Sequence, residues 1–102
     1  MSGGLRVLLF YAGEDVAGIE AAYHESSKLL SGTPGLLGNE LLRSVHDPLG
    51  FVVASSWRDR AAFDDWETGP LHKGQTEPLR PFLDTRAARP VGIYEVVARY
   101  GA

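Results

Sequence analysis

Few side chains in this 102-residue sequence are suited to chemistry. With no cysteine there is no thiolate nucleophile, no disulfide and no cysteine metal site. The histidines are His24, His46 and His72, and no two have the i, i+4 spacing of a helical metal site. A phosphate-cradling glycine loop and a Ser-His-Asp order are also absent. No cofactor and no metal are therefore expected. His72 is the first candidate catalytic residue, because a neutral imidazole can take a proton from a phenol or an activated C–H. Asn39 is the second. It interrupts an apolar stretch, and its amide could hold a substrate carbonyl or a developing enolate oxygen. Trp57 and Trp66 are candidate walls of an aromatic pocket, with an indole N–H to donate. Tyr23, Ser55, Phe10 and Phe51 complete the candidate substrate-binding set. Each has a plainer alternative: a surface histidine, an amide bonded to a loop, an aromatic ring in the core.

The elements that must position these residues follow from pattern. Leu5 to Ala12 (LRVLLFYA) is β-prone and nearly all apolar, as in a strand buried on both faces. Val16, Ile19, Ala22, Ser26 and Leu29 recur at helical spacing, which predicts a helix over 14–31 with Glu14 and Asp15 in its first turn. The Gly32 to Gly35 turn stops it. Residues 36–44 and 51–57 form two strands joined by a turn around Asp47-Pro48, an antiparallel hairpin. Asp59 caps a short helix carrying Ala62, Phe63 and Trp66. Leu71 to Leu83 predicts a further helix that bends or restarts near Glu77, because Pro78 and Pro81 each lack a donor. Val91 to Val97 is the last strand. The order βαββαβ is the ferredoxin-like split βαβ pattern, an α+β domain over 1–102 with its core at about 5–98. Strand alternation places Leu8 and Phe10, Leu37, Asn39 and Leu41, and Phe51, Val53, Ser55 and Trp57 on the face under the helices. Leu71 is expected in the core. A sheet apolar on both faces leaves one apolar face uncovered by helices, and a second copy packed sheet against sheet is the economical cover.

At 44% hydrophobic and 23% charged residues the composition is that of an ordinary soluble globular protein. A net charge of −3 argues against a nucleic-acid partner. The longest apolar run is far short of a membrane span, and no secretion signal is visible, so neither a membrane partner nor export from the cytoplasm is expected.

With these elements in place, the chain resembles the antibiotic biosynthesis monooxygenase (ABM) family of the dimeric α+β-barrel group. The carriers are Thr33-Pro34-Gly35, the hairpin ending in Trp57, the run WRDRAAFDDW from Trp57 to Trp66, GPLH from Gly69 to His72, and IYEVV from Ile93 to Val97. The resemblance implies a homodimeric barrel with a small-molecule cavity. For the haem-degrading branch, Trp66 matches the helix tryptophan, but Phe10 replaces the strand asparagine and Thr76 falls at the histidine. For the anthrone-oxidising branch, Trp57 matches the pocket tryptophan, Val53 replaces an asparagine and Phe63 a tyrosine. His72 stands where many members carry a cavity-facing histidine. The resemblance implies cofactor-independent monooxygenation of an aromatic polyketide-type molecule, anthrone or quinol-like, by O₂. A polyketide cyclase or isomerase, or a non-catalytic small-molecule binding module, would use the same cavity.

Overall fold

The computed structural model describes residues 4–101. Strand β1 (Leu5–Ala12) lies at the centre of a four-stranded antiparallel sheet of order β2-β3-β1-β4. Its neighbours are β3 (Gly50–Trp57), paired from Leu5↔Trp57 to Ala12↔Gly50, and β4 (Val91–Glu95). Strand β2 (Leu36–Arg43) forms the far edge against β3. This is the α+β ferredoxin-like arrangement expected from the order of elements.

Helix α1 spans Val16–Leu30. Asp15 is its N-cap, accepting the Gly18 N–H at 2.9 Å, so Glu14 and Asp15 stand before the first turn rather than in it. Ile19, Ala22 and Ser26 form the buried stripe against the sheet. Gly35 adopts φ +81°, and a Cβ there would come within 2.3 Å of Ala62 Cβ, so the turn after α1 packs directly on the next helix. That helix, α2 (Arg60–Glu67), is capped by Asp59, which accepts the Ala62 N–H at 2.8 Å. A short helix α3 (His72–Thr76) follows, then a 3₁₀ helix over Glu77–Phe82 containing Pro78 and Pro81. The change of helix type at Glu77 is the restart that the prolines impose.

Residues Leu5, Val7, Leu9 and Tyr11 of β1 face the helices, opposite Trp57, Ser55, Val53 and Phe51. Leu8 and Phe10 therefore lie on the other face, one residue out of phase with the alternation expected above. In β2 the register shifts between Leu36 and Gly38. This bulge keeps Asn39 and Leu41 on the helix side but turns Leu37 outward, 67% exposed. Strand β4 stops at Glu95, and Val97 is exposed. Leu71 precedes α3 and is 67% exposed, a correction to its expected core position.

Two buried clusters fill the space under the helices. One joins Tyr11, Ile19, Ala22, Phe51, Val53 and Leu79; the other joins Leu5, Val7, Trp57, Ala62 and Phe63. Leu9 packs against both. The outer sheet face carries half-buried Leu8, Phe10, Val52 and Ala54 with exposed Leu42 and Tyr94. Among the described residues no helix is long and apolar enough to cross a membrane.

Candidate active site

An inner cavity of about 70 Å³ opens where the two clusters meet. Asn39, Ser55, Trp57, Trp66 and His72 all line it, so residues from β2, β3, α2 and α3 converge. Tyr23 stands behind Asn39. Phe51 faces inward but belongs to the core beyond the cavity, and Phe10 turns away on the opposite sheet face. The register that sets Phe10 outward brings Tyr11 inward in its place.

The polar groups divide into those already engaged and those left to a ligand. Ser55 Oγ accepts from Trp57 Nε1 at 3.0 Å and donates to the Val7 carbonyl at 3.4 Å. The Trp66 indole N–H is given to Gln75 Oε1 at 2.7 Å. Both indole donors are thus spent inside the protein, and the tryptophans offer faces and edges rather than hydrogen bonds. Their rings lie 5.1 Å apart, and Trp57 meets Phe63 edge-on at 5.4 Å.

Asn39 is held at its oxygen. The Tyr23 hydroxyl donates to Asn39 Oδ1 at 2.5 Å, and Ser27 Oγ lies 3.3 Å from the same atom. Tyr23 and Ser27 are four residues apart on α1 and so share one face of the helix. With Oδ1 taken, the two amide N–H donors of Asn39 are the groups left for the cavity. His72 opens α3, half-buried, with its imidazole 4.5 Å from the Trp66 ring in an edge-to-face arrangement. Among the described residues only its backbone carbonyl is hydrogen-bonded, by Thr76, so its ring nitrogens are open to a ligand. Tyr11 is 4% exposed, and burial pushes its phenol up to about 12, with Arg80 pulling it back in part. It is a neutral hydroxyl donor on the cavity wall at any physiological pH.

Tyr11, Asn39 and His72, with Glu67 from the end of α2, therefore bring open polar groups to a mostly aromatic and aliphatic space. Such a site can hold a flat aromatic molecule, donate to its oxygens from Asn39 and Tyr11, and accept a proton at His72. No local signal in the sequence marks Tyr11, Ser27 or Gln75 as part of the site. Tyr11 is hidden in a strand apolar at almost every position, and Ser27 and Gln75 matter only through partners distant in sequence.

The comparisons with known proteins agree with this architecture. The family model described as antibiotic biosynthesis monooxygenase matches residues 10–75. The fold is similar to that of SnoaB, a cofactor-independent oxygenase from Streptomyces nogalater, at TM-score 0.72 and 19% identity over 99% of this chain and 97% of that one. It is also similar to Rv0793 from Mycobacterium tuberculosis, at TM-score 0.65 and 16% identity over 98% of this chain and 99% of that one. Protein SchA of Streptomyces halstedii is 26% identical over 62 residues, 61% of this chain, and the chain spans 16% of SchA's length. The match of the family model to well over half of the sequence, on a fold shared almost end to end, places the chain in the antibiotic biosynthesis monooxygenase family.

Proposed function

We propose that this protein is a cofactor-independent monooxygenase acting on an anthrone- or quinol-like aromatic molecule of polyketide type. The observation that carries the reading is the open imidazole of His72 and the free amide donors of Asn39 on one aromatic cavity. The likeness to SnoaB supports it. Anthrones are acidic at the methylene beside two rings. His72 takes that proton, and Asn39 donates to the oxygen on which the negative charge gathers. The carbanion passes an electron to O₂, and the two radicals combine as a peroxide. Loss of water leaves a carbonyl, so one CH₂ and one O₂ become one C=O and one H₂O. The protein supplies binding, deprotonation and exclusion of bulk water.

The test is oxygen uptake with anthrone as probe. His72→Ala should lower kcat by about 10²–10⁴, the usual worth of general base catalysis, and remove the ascending limb of the pH–rate profile. Unchanged turnover with that limb intact would take His72 out of the mechanism. Product formed without oxygen would instead favour a cyclase or isomerase, and binding without turnover a binding module.

A homodimer through the outer sheet face belongs to the same proposal. Leu8, Phe10, Val52, Leu42 and Tyr94 form an apolar face that helices do not cover. Light scattering at micromolar concentration should give the mass of two chains, and Phe10→Asp should halve it. A monomer across the dilution series would refute the pairing.

A further inference from the structure

The ligand class proposed above, on which this inference rests, is larger than the inner cavity. That cavity holds about 70 Å³, whereas pockets for drug-sized ligands run to roughly 300–1,000 Å³. An outer cleft of about 410 Å³ lies next to it, between the turn after α1 and the α2–α3 connection. Its apolar lining includes Pro34, Ala62, Pro70 and Leu71, with Arg58 and Asp65 among its polar groups. Among the described residues, Trp66 alone lines both spaces.

Trp66 is held where it is by one carboxamide. Gln75 accepts the indole N–H at 2.7 Å, donates its own Nε2–H to the Leu29 carbonyl at 2.8 Å, and takes the Ser26 hydroxyl on its backbone oxygen at 2.6 Å. Gln75 thus ties the indole to α1. Trp57 is fixed more firmly, at 2% exposure and with its own bond to Ser55. Trp66 is only half-buried, so its displacement disturbs less packing.

We propose that the outer cleft is the second compartment of the ligand site, and that Trp66 is the partition between the two. A fused aromatic ligand of three rings or more breaks the Trp66–Gln75 bond and lies across both spaces. One end meets Asn39 and His72, and the other rests among Pro34, Pro70 and Leu71. Together the two volumes reach the range such a ligand needs. The exposure of Leu71 then has a purpose, since it offers an apolar surface to the outer rings. A single-ring phenol enters the inner space without moving the partition.

The test compares phenol with 1,8-dihydroxyanthraquinone as probes, by calorimetric titration. Gln75→Met keeps the side-chain length but removes the acceptor. It should tighten the three-ring probe about three- to tenfold, the worth of one hydrogen bond, because the open state no longer has to be won from the latch. Phenol should be unchanged. Trp66→Phe leaves the Gln75–Leu29 bond in place and should act in the same direction, so the proposal remains testable if Gln75→Met folds poorly. In protein labelled with 5-fluorotryptophan, assigned with Trp57→Phe, the Trp66 resonance should shift with the three-ring probe and not with phenol. If the variants change both probes equally, or the three-ring probe binds without moving the Trp66 resonance, the partition is refuted while the small-molecule reading stands. If neither probe binds any of the proteins, both fall.

Discussion

Removing the Tyr23 hydroxyl tests whether Asn39 is held as the structure has it. Tyr23 donates to Asn39 Oδ1 at 2.5 Å and lies 3.3 Å from the Asn39 backbone oxygen. Tyr23→Phe deletes one hydrogen bond at a half-buried site without changing the ring, at a cost of about 1 kcal/mol. In a domain of about 100 residues that is a Tm lower by roughly 4–8 °C. Asn39→Leu removes the acceptor instead and leaves the Tyr23 and Ser27 hydroxyls to find other partners, at about 1–3 kcal/mol. The double variant loses both partners at once. Its destabilisation should fall short of the sum of the singles by about 1 kcal/mol, the coupling expected of a direct contact. Urea unfolding at constant m-value gives all three differences. Additive effects, to within about 0.3–0.5 kcal/mol, would show that the bond does not form and that the Asn39 amide is free to turn. In the oxygen-uptake assay, a freed amide should raise KM for anthrone while His72 keeps its pH dependence.

Two further outcomes concern charge. Arg86 binds Asp47 at 2.7 Å and Asp84 at 2.9 Å, joining the β2–β3 turn to the loop before β4, and its guanidinium holds both carboxyls below their ordinary range. Stability from depressed carboxylates is present above their unfolded pKa and lost as pH falls through the folded one, so the Tm gap between wild type and Arg86→Gln should close below about pH 4. A gap that does not narrow at all as pH falls from about 6 to 2 would refute this. The Tyr11 phenol is raised to about 12, so its contribution is whole below about pH 10 and lost as pH rises through 12. Ultraviolet titration should show a late tyrosine ionisation that Tyr11→Phe abolishes; an unchanged titration curve in that variant would contradict it.

The sequence carried much of this architecture because its signals were local. Asp59 announces a helix start by side-chain chemistry alone and caps as expected, whereas Asp15, expected in the first turn of α1, is its N-cap. Pro78 and Pro81 dictate the break at Glu77 in the same way. Alternation failed in β1 because Leu5–Ala12 is apolar on both faces, so no polar residue marks which set is inward. Pairing with β3 and packing against α1 decide it, and these put Tyr11 inside and Phe10 outside. Leu37 was misplaced for another reason. A bulge adds one residue to β2, and its one local mark in LLGNELLR is Gly38, which suggests a bulge without fixing which neighbour turns outward. Asn39 was legible as an anomaly in its strand, but its partners on α1 were not. They depend on a contact between residues 16 apart in sequence.

Tyr11, Asn39 and His72 sit on β1, β2 and α3. No short segment contains two of them, and each is set by a different tertiary feature. The β1–β3 register turns Tyr11 inward, the bulge and the Tyr23 bond aim Asn39, and the start of α3 places His72 against Trp66. Two polar groups nearby are consumed in keeping the aromatic walls in place, Ser55 by Trp57 and Gln75 by Trp66. These two serve the shape of the site, and the proposed mechanism leaves its chemistry to Asn39 and His72. Trp66 is the place where shape and chemistry meet, because the ring that separates the two compartments is the ring against which His72 packs. If the proposed partition moves, the surroundings of the imidazole change with it, and the proposed mechanism then couples ligand size to proton transfer through one side chain.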